Sequence, residues 1–127
     1  MDDFQDITRF LLTLSKKASE IMLKHFSGGG VKAELKKDLS PVTHADLEVN
    51  SMVIREVKKH YPEFEILAEE ESTQTEGAEK LFVVDPLDGT LMFSIGSPLF
   101  VFSAAVVING VSIAGVLANP LARRTLL

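Results

Sequence analysis

The sequence predicts an α+β domain, helices first and sheet after, and three observations carry that reading. Apolar residues recur every three or four positions through residues 4–22 and again through 47–57, the spacing that lines one face of a helix. From Phe64 onward they gather into short runs rich in β-formers, and Asn109-Gly110 divides the last of these as a hairpin turn would. Helices from one end of the chain and hairpins from the other pack as a helical layer on a mostly antiparallel sheet.

In chain order, Phe4, Ile7, Phe10, Leu11, Leu14, Ala18, Ile21 and Met22 form the buried stripe of a first long helix. It ends near Gly28-Gly29-Gly30, because three glycines cost too much backbone entropy to stay helical. With Lys32, Lys36 and Lys37 behind them, they read as a mobile basic loop. Ser40-Pro41-Val42-Thr43 is extended, since proline restricts the residue before it. A second long helix then begins near Thr43, with Leu47, Val49, Met52, Val53 and Val57 on its buried side, and Pro62 stops it. A short strand covers residues 64–68, and the polar stretch 69–80, with its Glu69-Glu70-Glu71 run, reads as an exposed loop or flap. Leu81-Phe82-Val83-Val84 is too short for a helix and predicts a central strand ending at Asp85, followed by a tight turn through Pro86-Leu87-Asp88-Gly89-Thr90. Residues 100–108 and 111–117 flank Asn109-Gly110, whose residues tolerate the positive φ angles of a type I′ turn.

Composition bounds the function classes. At 127 residues and 46% hydrophobic, the chain can bury the core of one domain. All 18 acidic side chains lie at or before Asp88, whereas only Arg123 and Arg124 of the 13 basic ones follow it. A net charge of −5 without a basic run argues against nucleic acid as a partner, because phosphate neutralisation supplies most of that affinity. The apolar runs 99–108 and 111–118 fall short of the ~20 residues a membrane helix needs, so no membrane is expected. An acidic start is unlike a signal peptide, and the absence of cysteine excludes disulfides, thiolate metal sites and thiol catalysis; the expected setting is cytoplasmic.

The chemistry concentrates in Val83-Val84-Asp85-Pro86-Leu87-Asp88-Gly89-Thr90, where an apolar strand delivers two carboxylates onto a turn. Hard divalent cations want several oxygen ligands, which Asp85, Asp88 and the carbonyl of Leu87 can supply. Gly89 lets backbone approach an anion, and the amides of Gly89 and Thr90 suit a phosphate if a helical turn starts there. The same spacing equally suits a turn in which the two aspartates merely cap backbone groups. Glu69-Glu70-Glu71 is either a solvated surface or a source of one more ligand. Thr43 and Asp46 match a helix-capping pair, with Asp46 free to serve a site as well if that helix end faces the turn. His25, His44 and His60 share no ligand spacing, and Phe93, Phe100 and Phe102 read as core or cleft wall.

Three separated segments together resemble the inositol monophosphatase superfamily of Mg²⁺-dependent, lithium-sensitive phosphatases. They are Asp38-Leu39-Ser40-Pro41-Val42-Thr43-His44-Ala45-Asp46, Ile66-Leu67-Ala68-Glu69-Glu70, and the Asp85–Thr90 turn with its preceding strand. Phe93-Ser94-Ile95-Gly96-Ser97-Pro98 and the Asn109-Gly110 hairpin are similar too. The resemblance implies the layered sugar-phosphatase fold and hydrolysis of a small phosphorylated metabolite by metal-activated water, with two or three Mg²⁺ in the complete site. It implies metal ligation by Glu69, Glu70, the Leu87 carbonyl, Asp85 and Asp88. Ala68 occupies the small-residue place before the glutamate pair and favours Glu69, while the third glutamate leaves the register open by one. Asp46, Thr90 and Glu69 take the catalytic roles, with Asp46 and Thr90 orienting and deprotonating the water. Asp88, Gly89 and Thr90 hold the substrate phosphate. Lys36 or Lys37, with Asp38, stands where the family's mobile loop assists a further metal.

The resemblance also implies that residues 1–127 are the N-terminal portion of such an enzyme, with the C-terminal half absent. Full-length members carry a later Trp-Asp motif whose aspartate is another ligand, whereas this sequence has no tryptophan and no acid after Asp88. Little or no activity is therefore expected of these residues alone, and a truncated, non-catalytic binding or assembly module is the reading from another class. Leu91-Met92 stands where many inositol phosphatases have Thr-Asn, which loosens the substrate more than the fold. Inositol monophosphate or a sugar phosphate such as fructose 1,6-bisphosphate is favoured by Gly96-Ser97-Pro98, and a 3′(2′),5′-bisphosphate nucleotide by the Asp38–Thr43 stretch. Family habit implies a homodimer at full length.

Overall fold

A computed structural model describes residues 4–36, 41–68 and 78–127. Helix α1 (Phe4–His25) buries Ile7, Leu11, Leu14, Ala18 and Met22 at steps of three and four, and it ends before the glycine triplet as its sequence requires. Phe4, expected on the buried stripe, lies 59% exposed in the first turn of the helix. A two-stranded antiparallel ribbon follows, β1 (Glu34–Leu35) with β2 (Pro41–Val42). Helix α2 (His44–His60) starts at a capping box in which Thr43 and Asp46 satisfy each other's backbone amides, and it ends just before Tyr61-Pro62. Ala45, Val49, Met52, Val53 and Val57 are buried along it. Leu47, expected beside them, is 49% exposed, because around the helix it falls about 60° beyond Asn50, just outside the arc that the buried residues share.

The main sheet holds β3 (Glu65–Ala68), β4 (Lys80–Asp88), β5 (Val101–Ile108), β6 (Val111–Asn119) and β7 (Arg124–Leu126), adjacent in that order. β3 runs parallel to β4, and all other neighbours are antiparallel. α1 lies across β5 and β6, and α2 across β4. Phe82, Val84, Phe102, Ala104, Val106, Val116 and Ala118 alternate toward these helices and make the core, with Val84 paired to Ala104 and Ala104 to Val116. Phe93, Phe100 and Phe102 are all core residues. Asn109 and Gly110 sit at φ 50° and 78° between the paired residues Ile108 and Val111, as the type I′ turn demands.

One expected boundary is corrected. β4 does not stop at Asp85 but continues to Asp88, because a bulge absorbs the proline. Asp85 pairs with Ser103 and Asp88 with Val101, so three steps on β4 meet two on β5. Pro86 lacks the amide that a regular ladder would use, and the bulge is where a sheet tolerates it. Among the described residues no helix is long and apolar enough to cross a membrane.

Candidate active site

The bulge sets the side-chain directions at the end of β4. In an unbroken strand, residues three apart face opposite sides of the sheet. Here Pro86 and Leu87 are buried consecutively, which marks a change of phase, and Asp85 and Asp88 both fall outside the buried set. Gly89 then takes φ 97°, and helix α3 (Thr90–Ser94) begins. A β-carbon at Gly89 would lie 2.6 Å from the Leu99 carbonyl oxygen, so both the backbone angle and the packing demand glycine.

Thr90 brings the turn to the N-terminus of α2. Its hydroxyl donates to Asp46 Oδ1 at 2.7 Å, with the Leu87 carbonyl a longer alternative acceptor at 3.2 Å. Asp46 is 1% exposed. Its other oxygen, Oδ2, accepts from the Thr43 amide at 2.8 Å and from the Thr43 hydroxyl at 2.6 Å. Asp46 therefore both caps its helix and faces the turn, the two roles that its sequence position left open. All of its described partners are neutral donors.

The oxygen donors for a cation are partly in view. Asp85 is half-buried, and although the residue is not without contacts, its Oδ1 is buried and receives no hydrogen bond among the described residues. Asp88 is exposed beside it, and the Leu87 carbonyl lies between them in sequence. Among the described residues no three acidic or histidine side chains gather into a metal-holding group. Glu69 and Glu70 lie outside the described residues, as do Lys37 and Asp38. β3 nevertheless delivers the chain at Ala68 opposite Val84, one residue short of Asp85. An all-oxygen donor set of two carboxylates and a carbonyl on one turn fits a hard divalent cation.

The model of the inositol monophosphatase family matches residues 3–127. The chain belongs to the inositol monophosphatase family. It is 35% identical over 120 residues to the fructose-1,6-bisphosphatase/inositol-1-monophosphatase of Thermotoga maritima, covering 92% of this chain and 45% of that protein. A histidinol-phosphatase of Mycobacterium tuberculosis is 33% identical over 113 residues, covering 89% of this chain and 44% of the relative. The solved structure of a Thermotoga maritima IMPase superposes with a TM-score of 0.85 at 32% identity, over 94% of this chain and 46% of that one. The family fold is thus present, and the chain spans less than half the length of these relatives. The family is one of phosphatases.

Two features of the site gave no signal in the sequence. One is the bulge, and the other is the packing behind α3. Phe26 sets its ring 5.8 Å from Phe93 and 5.4 Å from Phe100, and the latter two meet edge-on at 4.9 Å. Among the described residues His25 pairs with Glu48 and His60 with Glu56, away from the turn.

Proposed function

We propose that the full-length protein hydrolyses a small phosphomonoester with Mg²⁺, and that this chain supplies the nucleophile-orienting half of the site. The observation that carries the reading is the Thr90–Asp46 hydrogen bond, which ties a capped helix to the two-aspartate turn. Asp85, Asp88, the Leu87 carbonyl and Glu69 or Glu70 would hold the cations. When bound there, Mg²⁺ supplies Lewis acidity to the phosphoryl group and to a water. Thr90 gives its own proton to Asp46, so its oxygen lone pairs are left to accept one from the attacking water. As the water oxygen bonds to phosphorus and the ester P–O bond breaks, the water proton passes to Thr90 and the Thr90 proton to Asp46, while the departing alkoxide takes a proton from solvent. The Gly89 and Thr90 amides and Asp88 orient the phosphate. No covalent intermediate is needed.

Inositol monophosphate and sugar phosphates such as fructose 1,6-bisphosphate remain the preferred substrates, supported by the name of the Thermotoga relative. Histidinol phosphate enters on the name of the mycobacterial relative. A bisphosphate nucleotidase is the runner-up, and a cytoplasmic homodimer is the proposed state of the whole protein.

Phosphate release from this panel, measured on the full-length protein with and without Mg²⁺, tests the reading. Turnover with Mg²⁺, lost on chelation and reduced at least about 10²-fold by Asp88→Asn, is expected. Metal-independent turnover, or an Asp88→Asn protein as active as wild type, would refute it. No turnover of any substrate favours the binding or assembly module instead.

A further inference from the structure

The glycine triplet that reads as a mobile loop in the sequence is docked, and it is docked on the C-terminal end of α3, the helix that follows the two-aspartate turn. The Val31 amide donates to the Ser94 carbonyl at 2.9 Å, and the Gly30 amide closes the loop onto the Ser27 carbonyl at 2.9 Å. Gly30 and Gly96 both have positive φ, 92° and 82°. A β-carbon at Gly96 would stand 2.4 Å from the Gly28 carbonyl oxygen and 3.0 Å from that of Ser27. One at Gly30 would stand 2.7 Å from the Ser94 oxygen. Every atom named is backbone, so no side-chain rotation can relieve the overlap. The two segments approach this closely only because both are glycine.

What they grip is α3, from its C-terminal end. The Gly96 amide donates to Phe93 and the Ser97 amide to Met92, closing the helix there. Its middle is held by Phe93 against Phe26 and Phe100, and Phe26 is the residue that follows α1 and leads into the glycine loop. A five-residue helix is about 7 Å long and moves as one piece. Thr90 stands at the other end of it, 2.7 Å from Asp46.

We propose that the Phe26–Gly30 segment acts as a positioning clamp, in which Gly28 against Gly96 and Phe26 against Phe93 fix α3 so that the Thr90 hydroxyl stays in line with Asp46. The proposal rests on the phosphatase reading of that site. Neither glycine touches substrate, and both act through Thr90. An ångström of displacement at Gly96 carries to Thr90, and a misplacement of that size costs on the order of 10²-fold in rate.

The test compares two glycines in the full-length protein. Gly110 also has positive φ, 78°, yet a β-carbon there meets nothing within 4 Å. Gly110→Ala therefore carries the left-handed strain without the overlap. Gly96→Ala is expected to lower kcat about 10²-fold with KM within threefold, while Gly110→Ala leaves kcat within twofold of wild type. Phe26→Leu, which introduces no overlap, should lower kcat several-fold with KM retained, and it keeps the test open if Gly96→Ala does not fold. A readout independent of turnover is amide hydrogen exchange at Val31, expected to quicken in Gly96→Ala and not in Gly110→Ala. Wild-type kcat in Gly96→Ala or in Phe26→Leu, or equal losses in Gly96→Ala and Gly110→Ala, would overturn the clamp. Failure of the phosphatase reading looks different: wild type itself releases no phosphate, and the clamp's catalytic role falls with it whatever Val31 exchange shows.

Discussion

On α2, Glu48 and Glu56 each meet two basic partners, whereas Asp46, buried on the same helix, meets only neutral donors among the described residues. Glu48 bonds Lys24 at 2.9 Å and His25 at 3.0 Å, and Glu56 bonds Lys17 at 2.5 Å with His60 at 3.4 Å. The lysines come from α1, so these two acids join the helices. Hydrogen bonds from Lys24 and Lys17 respectively hold the two carboxyls below their ordinary value of 4.5. A carboxylate matched by a fixed lysine is committed to structure. Asp46, held by Thr43 and Thr90 without a fixed cation among the described residues, turns its Oδ1 to the Thr90 hydroxyl at the end of the two-aspartate turn.

The contrast breaks most readily at Asp46. In the full-length protein, Asp46→Asn should cost about 10²- to 10⁴-fold in kcat, the range for removing a positioned base. Steady-state kinetics decides it, and a loss under threefold would place Asp46 with the structural acids. Thr43→Ala should come next. Losing the cap costs about 1 kcal/mol of stability, read by denaturant unfolding, and it frees Asp46 Oδ2, so kcat falls as well. Smallest is Lys17→Met, which should cost under about 1 kcal/mol because the pair is partly exposed, with no change in kcat.

The pH dependence of that last difference sharpens the comparison. Because the folded value of Glu56 is depressed, the stability from its pair with Lys17 is fully present above about 4.5 and is lost as pH falls through the lower folded value. Wild type and Lys17→Met should therefore converge on acidification and differ by a constant amount toward neutrality, as acid-unfolding curves would show. Glu48 follows the same sign through Lys24.

Much of this was legible in the sequence where the physics is local. The Thr43/Asp46 cap, the stop before Pro62 and the Asn109-Gly110 turn depend on residues within a few positions of one another, and each appears where expected. For Asp85 and Asp88 spacing alone could not separate a metal turn from a capped one, and the metal reading rests on the family resemblance. Failures came where distant segments meet. Leu47 and Phe4 fit the helical period, but the width of the buried stripe depends on what covers it. Gly28-Gly29-Gly30 is flexible in isolation and ordered only against Ser94 and Gly96, far along the chain. The bulge at Pro86 reflects pairing with β5 that β4's own alternation does not record.

That bulge makes chain length part of the chemistry. A loop usually absorbs an inserted or deleted residue, and surface turns in this fold should do so. Between Asp85 and Asp88 the count matters, because a single deletion would restore regular pairing with β5: both aspartates would keep to one face, but the extra residue that spaces them and places the Leu87 carbonyl between them would be gone. The segment is therefore protected by arithmetic as well as by residue identity, and substitutions within it should be survived more often than any shift in its length.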